Sequence, residues 1–335
     1  MRVLFTSPWV PAELIRAHGL AACGVWFAED LAFGPAPLAE GVCAFAQAVL
    51  RLTDQCPADA VIFTTHCDQL RRGFDAASGD GGAPRRQFLF NLPATWGTPA
   101  AERLFLSEVE RLGHFLVELG GRPPSDQQLL AVAERHDQAR RRLLQAAAHC
   151  PALAYAQAVA RFHWDGSVCL PEPLAPCLSS PSCDRVPLAL VGGPLPRAQW
   201  RLFELLEQAG GQVVLNATEA GERSLGSEQP SSHLPGGIPS PALRKLARAY
   251  LSNCVDVFQR PNSRLYAWLG ERMAARGARG IVLWAWMGCD LWRAEAQSLR
   301  EALGRPVLAL DADEAAGGWP RLSGRIEAFL EALRA

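Results

Sequence analysis

An α/β architecture, with two mostly parallel sheets covered by helices and a helical insert in mid-chain, is what this sequence predicts. Three observations carry the expectation. Short apolar runs alternate with amphipathic stretches, as strands and helices do in βαβ units. Two of those runs end alike: Ala60-Val61-Ile62-Phe63 leads into Thr64-Thr65-His66-Cys67-Asp68, and Gly280-Ile281-Val282-Leu283 leads through Trp284-Ala285 into Trp286-Met287-Gly288-Cys289-Asp290. Both halves also repeat strand, helix, strand, a pattern compatible with duplication.

The elements follow in order. Val3 to Phe5 reads as a strand, Ala12 to His18 as a helix opened by Pro11 and closed by Gly19, and Cys23 to Phe27 as a second strand. An amphipathic stretch from Ala44 to Leu52 precedes the strand Ala60 to Thr64. A helix starts near Asp68, the polar run Ser78 to Gly82 forms a loop, and Gln87 to Asn91 is a short strand. From Pro99 onward Leu104, Val109, Leu112, Phe115, Leu116 and Leu119 fall at helical spacing, and after Gly120-Gly121 a helix capped by Ser125 continues through Leu143 and Leu144. In the second half Pro187 to Val191, Val213 to Leu215, Gly280 to Trp284 and Val307 to Leu310 read as strands. Gln199 to Gln208, Arg244 to Leu251, Arg264 to Ala275, Leu291 to Leu303 and Ser323 to Leu333 read as helices. The polar stretch Gly221 to Pro241 is expected to be a mobile loop. The expected organisation is an N-terminal α/β domain over 1–98, a helical insert over 99–163, a Pro- and Ser-rich linker over 164–185 and a C-terminal α/β domain over 186–335.

Composition narrows the function. The 335 residues are 49% hydrophobic and 20% charged, the balance of a globular protein, and 33 basic against 34 acidic residues leave no basic footprint for nucleic acid. Lys245 is the only lysine and has no Gly-rich turn before it, so the chain is not expected to hydrolyse ATP itself. No apolar run approaches the roughly 20 residues that span a bilayer, and Met1-Arg2-Val3-Leu4-Phe5 lacks a signal-peptide layout. No membrane partner and a cytoplasmic location are expected. There disulfides are the poorest use of the ten cysteines.

In open α/β sheets ligands collect beyond the carboxyl ends of the strands, so Cys67 and Cys289, delivered there by separate halves, point to a metal or iron-sulfur site. Zinc is the inorganic rival, but paired Cys-x-x-Cys and His-x-x-x-His spacings are absent.

The opening Thr6-Ser7-Pro8-Trp9-Val10-Pro11-Ala12-Glu13-Leu14-Ile15-Arg16-Ala17-His18-Gly19-Leu20, the stretches Leu206 to Val214 and Arg260-Pro261-Asn262-Ser263-Arg264, and the closing Arg305 to Asp313 and Gly324 to Glu331 occur in one order. They resemble the 2-hydroxyacyl-CoA dehydratase and benzoyl-CoA reductase subunit family, which includes 2-hydroxyglutaryl-CoA dehydratase D-components. The resemblance implies two flavodoxin-like domains and a 4Fe-4S cluster held by Cys43, Cys67 and Cys289. It also implies a homologous second subunit, a separate ATP-dependent activator and an acyl-CoA or aryl-CoA substrate. The candidate catalytic residues are Glu13, which matches the family's Pro-x-Glu position and is expected to line the cluster cavity, and His66, which from its place beside Cys67 is expected to donate a proton or a hydrogen bond to a cluster sulfur. The alternative is a non-catalytic electron-relay or scaffold subunit of such a complex. Ser7 stands where many relatives have cysteine, which argues against a larger double-cubane cluster.

Overall fold

The computed structural model describes residues 1–28, 31, 33, 41–55, 58–77, 86–170, 185–226, 240–312 and 318–335. The loop expected at 78–82, most of the linker, positions 227–239, and Cys56, Cys177 and Cys183 lie outside them. The first sheet contains β1 (Arg2–Phe5), β2 (Ala21–Gly24), β3 (Ala60–Thr64) and β4 (Arg86–Phe90) in the order β2-β1-β3-β4, all parallel. The second contains β5 (Val186–Gly192), β6 (Gly211–Ala217), β7 (Gly280–Ala285) and β8 (Val307–Asp311) in the order β6-β5-β7-β8, again all parallel. Both are the flavodoxin-type order, in which the chain switches direction beside the first strand. The central strands β3 and β7 are buried at every residue. Their uninterrupted apolar runs follow from helices lying on both faces.

Helices α1 (Ala12–Ala17), α2 (Ala44–Gln55) and α3 (Asp68–Ala77) belong to the first sheet; α7 (Arg201–Gln208), α8 (Pro241–Asn253), α9 (Ser263–Ala275), α10 (Asp290–Leu303) and α11 (Trp319–Arg334) follow in the second half. Between the halves run α4 (Pro99–Glu118), α5 (Asp126–Ala146) and α6 (Ala152–Asp165). Thr98 and Ser125 cap α4 and α5, Ser125 with Gln128 in a reciprocal capping box. The helix expected through Leu144 ends at Ala146, and beyond Pro151, whose ring disfavours helix at Cys150, the insert holds a further helix, α6, that sequence spacing does not separate. The start of the expected polar loop also differs: Glu222–Leu225 is a buried 3-10 turn. Arg223 there bonds the carbonyls of Ala217, Val255 and Gly192 and pairs with Asp256 at 2.7 Å. No helix among the described residues is long and apolar enough to cross a membrane.

The two sheets share one apolar cluster that runs from Phe5 and Trp26 through Leu188 to Trp284 and Trp286. Helix α6 packs on β2 of the first sheet and β6 of the second, so the insert is a wedge between them. A buried polar knot ties α1, α5 and α8 together. Glu13 Oε1 lies 2.5 Å from Arg140 Nη1, Tyr250 donates to Glu13 Oε2 at 2.5 Å, and Asp137 sits 3.1 Å from the same guanidinium. Burial alone would raise the Glu13 carboxyl, but Arg140, His136 and Tyr250 outweigh it and hold its pKa at about 2. Arg16 Nη1 donates to His136 Nε2 at 2.9 Å, which leaves the proton of the neutral ring on Nδ1, 3.6 Å from Glu13. His163 donates to Ser224, whose own hydroxyl goes to the carbonyl of Gly221.

Removing one partner of a buried ion pair strands the other charge. Arg140→Ala is expected to cost about 3–5 kcal/mol, read as a lowered midpoint in urea denaturation, whereas Arg141→Ala on the exposed face of the same helix should change it little.

Burial, reinforced by Arg140 and Arg16, holds the His136 and His163 rings down at about 4 and about 3, against the Glu13 charge. Their folded pKa values lie below the ordinary 6.5, so the unfolded chain takes up these protons first and stability falls with pH below 6.5. The loss should be on the order of 1 kcal/mol per pH unit for each histidine, growing down to about pH 4 for His136 and about pH 3 for His163, and denaturation midpoints at pH 7, 5.5 and 4.5 would measure it. A flat profile would show that neither ring stays neutral in the fold.

Candidate metal centre

Strand β3 ends at Thr64 and β7 at Ala285, each next to the first strand of its sheet and therefore at the switch point. The loops after them carry His66-Cys67 and Gly288-Cys289 to the mouths of α3 and α10. Backbone contact at the second switch point requires glycine: at Gly192, with φ 141°, a Cβ would stand 1.9 Å from the carbonyl oxygen of Trp284. The two strand ends meet across a cavity of about 250 Å3 whose walls include His66, Cys67, Glu219, Asp256 and Cys289.

Cys43, just before α2, stands at the edge of this site. Its amide donates to Gln69 Oε1 at 2.8 Å, and a Cβ placed on Gly288 would be 3.1 Å from the Cys43 Cβ and 3.0 Å from Gln69 Cδ. Gln69, two residues past Cys67, thus joins the three cysteine-bearing loops. Phe45 rests on Trp286 with ring centroids 5.9 Å apart, and the Trp286 indole donates to the carbonyl of Pro194 at 2.9 Å. Cys43, Cys67 and Cys289 are half-buried, and none of the described cysteines is in a disulfide.

Burial pushes the Cys67 thiol up to about 12, with Cys289 adding to the rise, and burial with Cys43 and Glu219 does the same for Cys289. Among the described residues no three His, Cys, Asp or Glu side chains come close enough to hold a single metal ion. A cubane asks something else, because its cysteines bind separate irons around a larger body. Cys67 and Cys289 line the cavity and Cys43 stands at its edge, and soft sulfur donors of this kind are the ligands such clusters take.

His66 is buried and bonds Thr64 Oγ1 through Nδ1 at 2.6 Å, while its Nε2 lies 3.7 Å from Glu219 Oε1. Burial alone would lower the ring, yet the Glu219 carboxylate outweighs it and holds the pKa above the ordinary value. With the Thr64 hydroxyl donating to Nδ1 of the neutral ring, the Nε2–H faces the carboxylate. Glu13 does not line this cavity; it belongs to the buried knot with Arg140 and Tyr250.

Three residues escaped sequence reasoning. Glu219 follows the end of β6, and the rule that sites gather beyond strand ends would have flagged it. Asp256 is brought in by its ion pair with Arg223, and Gln69 by its bond to Cys43; neither contact has a local sequence signal.

Residues 9–333 match the family described as 2-hydroxyglutaryl-CoA dehydratase, D-component. The chain belongs to this family. Membership makes it a component of a dehydratase-type enzyme that works with other subunits. A comparison with curated proteins finds no match. Among solved structures it is similar to a mutant of the laminin-binding adhesin Lmb from Streptococcus agalactiae, at 10% identity and TM-score 0.23, over 99% of this chain and 98% of that one. It is also similar to an FpvC mutant from Pseudomonas aeruginosa, at 13% identity and TM-score 0.22, over 100% of this chain and 99% of that one. At these scores neither likeness carries an argument.

Proposed function

We propose that this D-component-family chain is the iron-sulfur subunit of a low-potential radical enzyme acting on CoA thioesters, with Cys43, Cys67 and Cys289 holding a 4Fe-4S cluster between the two α/β domains. The observation that supports the reading is the meeting of Cys67 and Cys289, from matching switch points, across one cavity with Cys43 at its edge. A cluster bound through three cysteines supplies one-electron chemistry and an iron open to water or substrate. The protein's part is to seat the thioester against it and to manage protons. His66 is the residue we assign to the reacting oxygen, because it is a cavity-lining group whose N–H is oriented by Thr64 and Glu219. For Glu13 the contacts support a different role, holding Arg140 and Tyr250 and through them the insert. Supply of the electron by a separate ATP-dependent activator, and pairing with a homologous second subunit, complete the proposal. A chain with a single lysine outside any phosphate-binding turn is consistent with ATP being spent elsewhere.

The deciding experiment is iron and acid-labile sulfide analysis on protein purified without oxygen. About four irons per chain are expected, falling sharply in Cys67→Ser and Cys289→Ser, with loss of the thiolate-to-iron absorption; unchanged iron in both variants would end the cluster assignment.

His66→Gln should keep its iron and lose turnover by about a hundredfold or more, the usual share of a positioned acid or base. Full turnover in that variant would remove His66 from the chemistry and favour an electron-relay subunit.

A further inference from the structure

The cavity beside the cysteines is divided by polarity. Phe45, Val257, Phe258, Leu291 and Trp292 give it apolar walls. Among the described lining residues the deep carboxylates are Glu219, 5% exposed and facing His66, and Asp256, 7% exposed and ion-paired with Arg223 at 2.7 Å. Two more, Asp68 and Asp290, stand at the exposed rim. Arg72 is the one arginine among the described lining residues; it too is exposed, and its Nη1 is directed to the carbonyl of Gly41 at 3.3 Å. The nearest buried guanidinium, Arg223, stacks over Trp292 at 4.8 Å and is fully engaged by three backbone carbonyls and Asp256. His66 faces Glu219.

We infer that the acyl group admitted to this cavity is uncharged, an aliphatic or aromatic chain, and that Glu219 disfavours acyl chains ending in a second carboxylate. The inference rests on the reading of the cavity as a CoA-thioester site. Recognition of a terminal carboxylate calls for a guanidinium or ammonium placed to meet it, best in a bidentate pair. The described deep wall offers Glu219, turned to His66, there instead, and Asp256 with its charge already met by Arg223, so no free cation awaits a second carboxylate. Like charges brought together away from water are strongly unfavourable, while an uncharged chain gains from the apolar walls. The family's name refers to a dicarboxylic acyl group, so the lining of this chain separates it from that substrate class.

Pentanoyl-CoA and glutaryl-CoA test the point, since their acyl chains have nearly the same shape and differ in a terminal methyl against a carboxylate. Binding of both, of benzoyl-CoA and of free CoA is measured by calorimetry on the anaerobically purified full chain in its native assembly. Pentanoyl-CoA and benzoyl-CoA are expected to bind at least about tenfold more tightly than glutaryl-CoA, and Glu219→Gln should narrow the pentanoyl-to-glutaryl ratio. That ratio does not move with a general loss of structure. Glutaryl-CoA binding as tightly as pentanoyl-CoA to the unmodified protein overturns the inference and leaves the CoA reading standing. Failure of every thioester and of CoA to bind overturns the CoA reading, and the inference with it.

Discussion

Facing the carboxyl ends of two parallel sheets toward one another is the constraint from which the rest of this molecule follows. Each sheet opens a crevice at its own switch point. A crevice becomes a closed site only if the second is held opposite it at a fixed distance. Here the fixing is done by one apolar cluster common to both sheets, by α6 wedged against β2 and β6, and by the Trp286 loop packed on Phe45. Gln69 refines the alignment, because a single side chain accepts from Cys43 and abuts Gly288. Three loops far apart in sequence are thereby held in one relation.

Polar groups in the interior are arranged in two separate systems. The Glu13–Arg140–Tyr250 knot lies among α1, α5 and α8 and anchors the insert, with His136 and His163 kept neutral around it. Around the cavity, Arg223 fastens Asp256 and the strand ends, and Thr64 and Glu219 orient His66. Buried charges cost desolvation unless paired, so each system is nearly closed on itself. At the cavity wall the Glu219 carboxylate closes on His66, 3.7 Å from its Nε2.

Much of the fold was legible because buried parallel strands are continuous apolar runs and their helices carry caps. The runs at Val3, Ala60, Leu188 and Ile281, the cap at Ser125 and Pro99 in the first turn of α4 are local signals, readable without a partner. Helix α6 was not legible as a separate element, since its Ala-rich stretch has few large apolar residues to mark a stripe. The buried turn Glu222–Leu225 reads as polar loop until Arg223 finds its carbonyls and Asp256.

For the site, the division is the same. The sequence by itself determined that Cys67 and Cys289 end equivalent strands, since strand periodicity and the residues that stop it are properties of a few neighbouring positions. It also determined the family, through motifs in order along nearly the whole chain. Only the tertiary structure decided that Glu13 is a partner of Arg140 and Tyr250, and that Glu219, Asp256 and Gln69 attend the cysteines. Those relations are contacts between residues tens to hundreds of positions apart, and a contact of that range exists only once both sheets have closed on their common core.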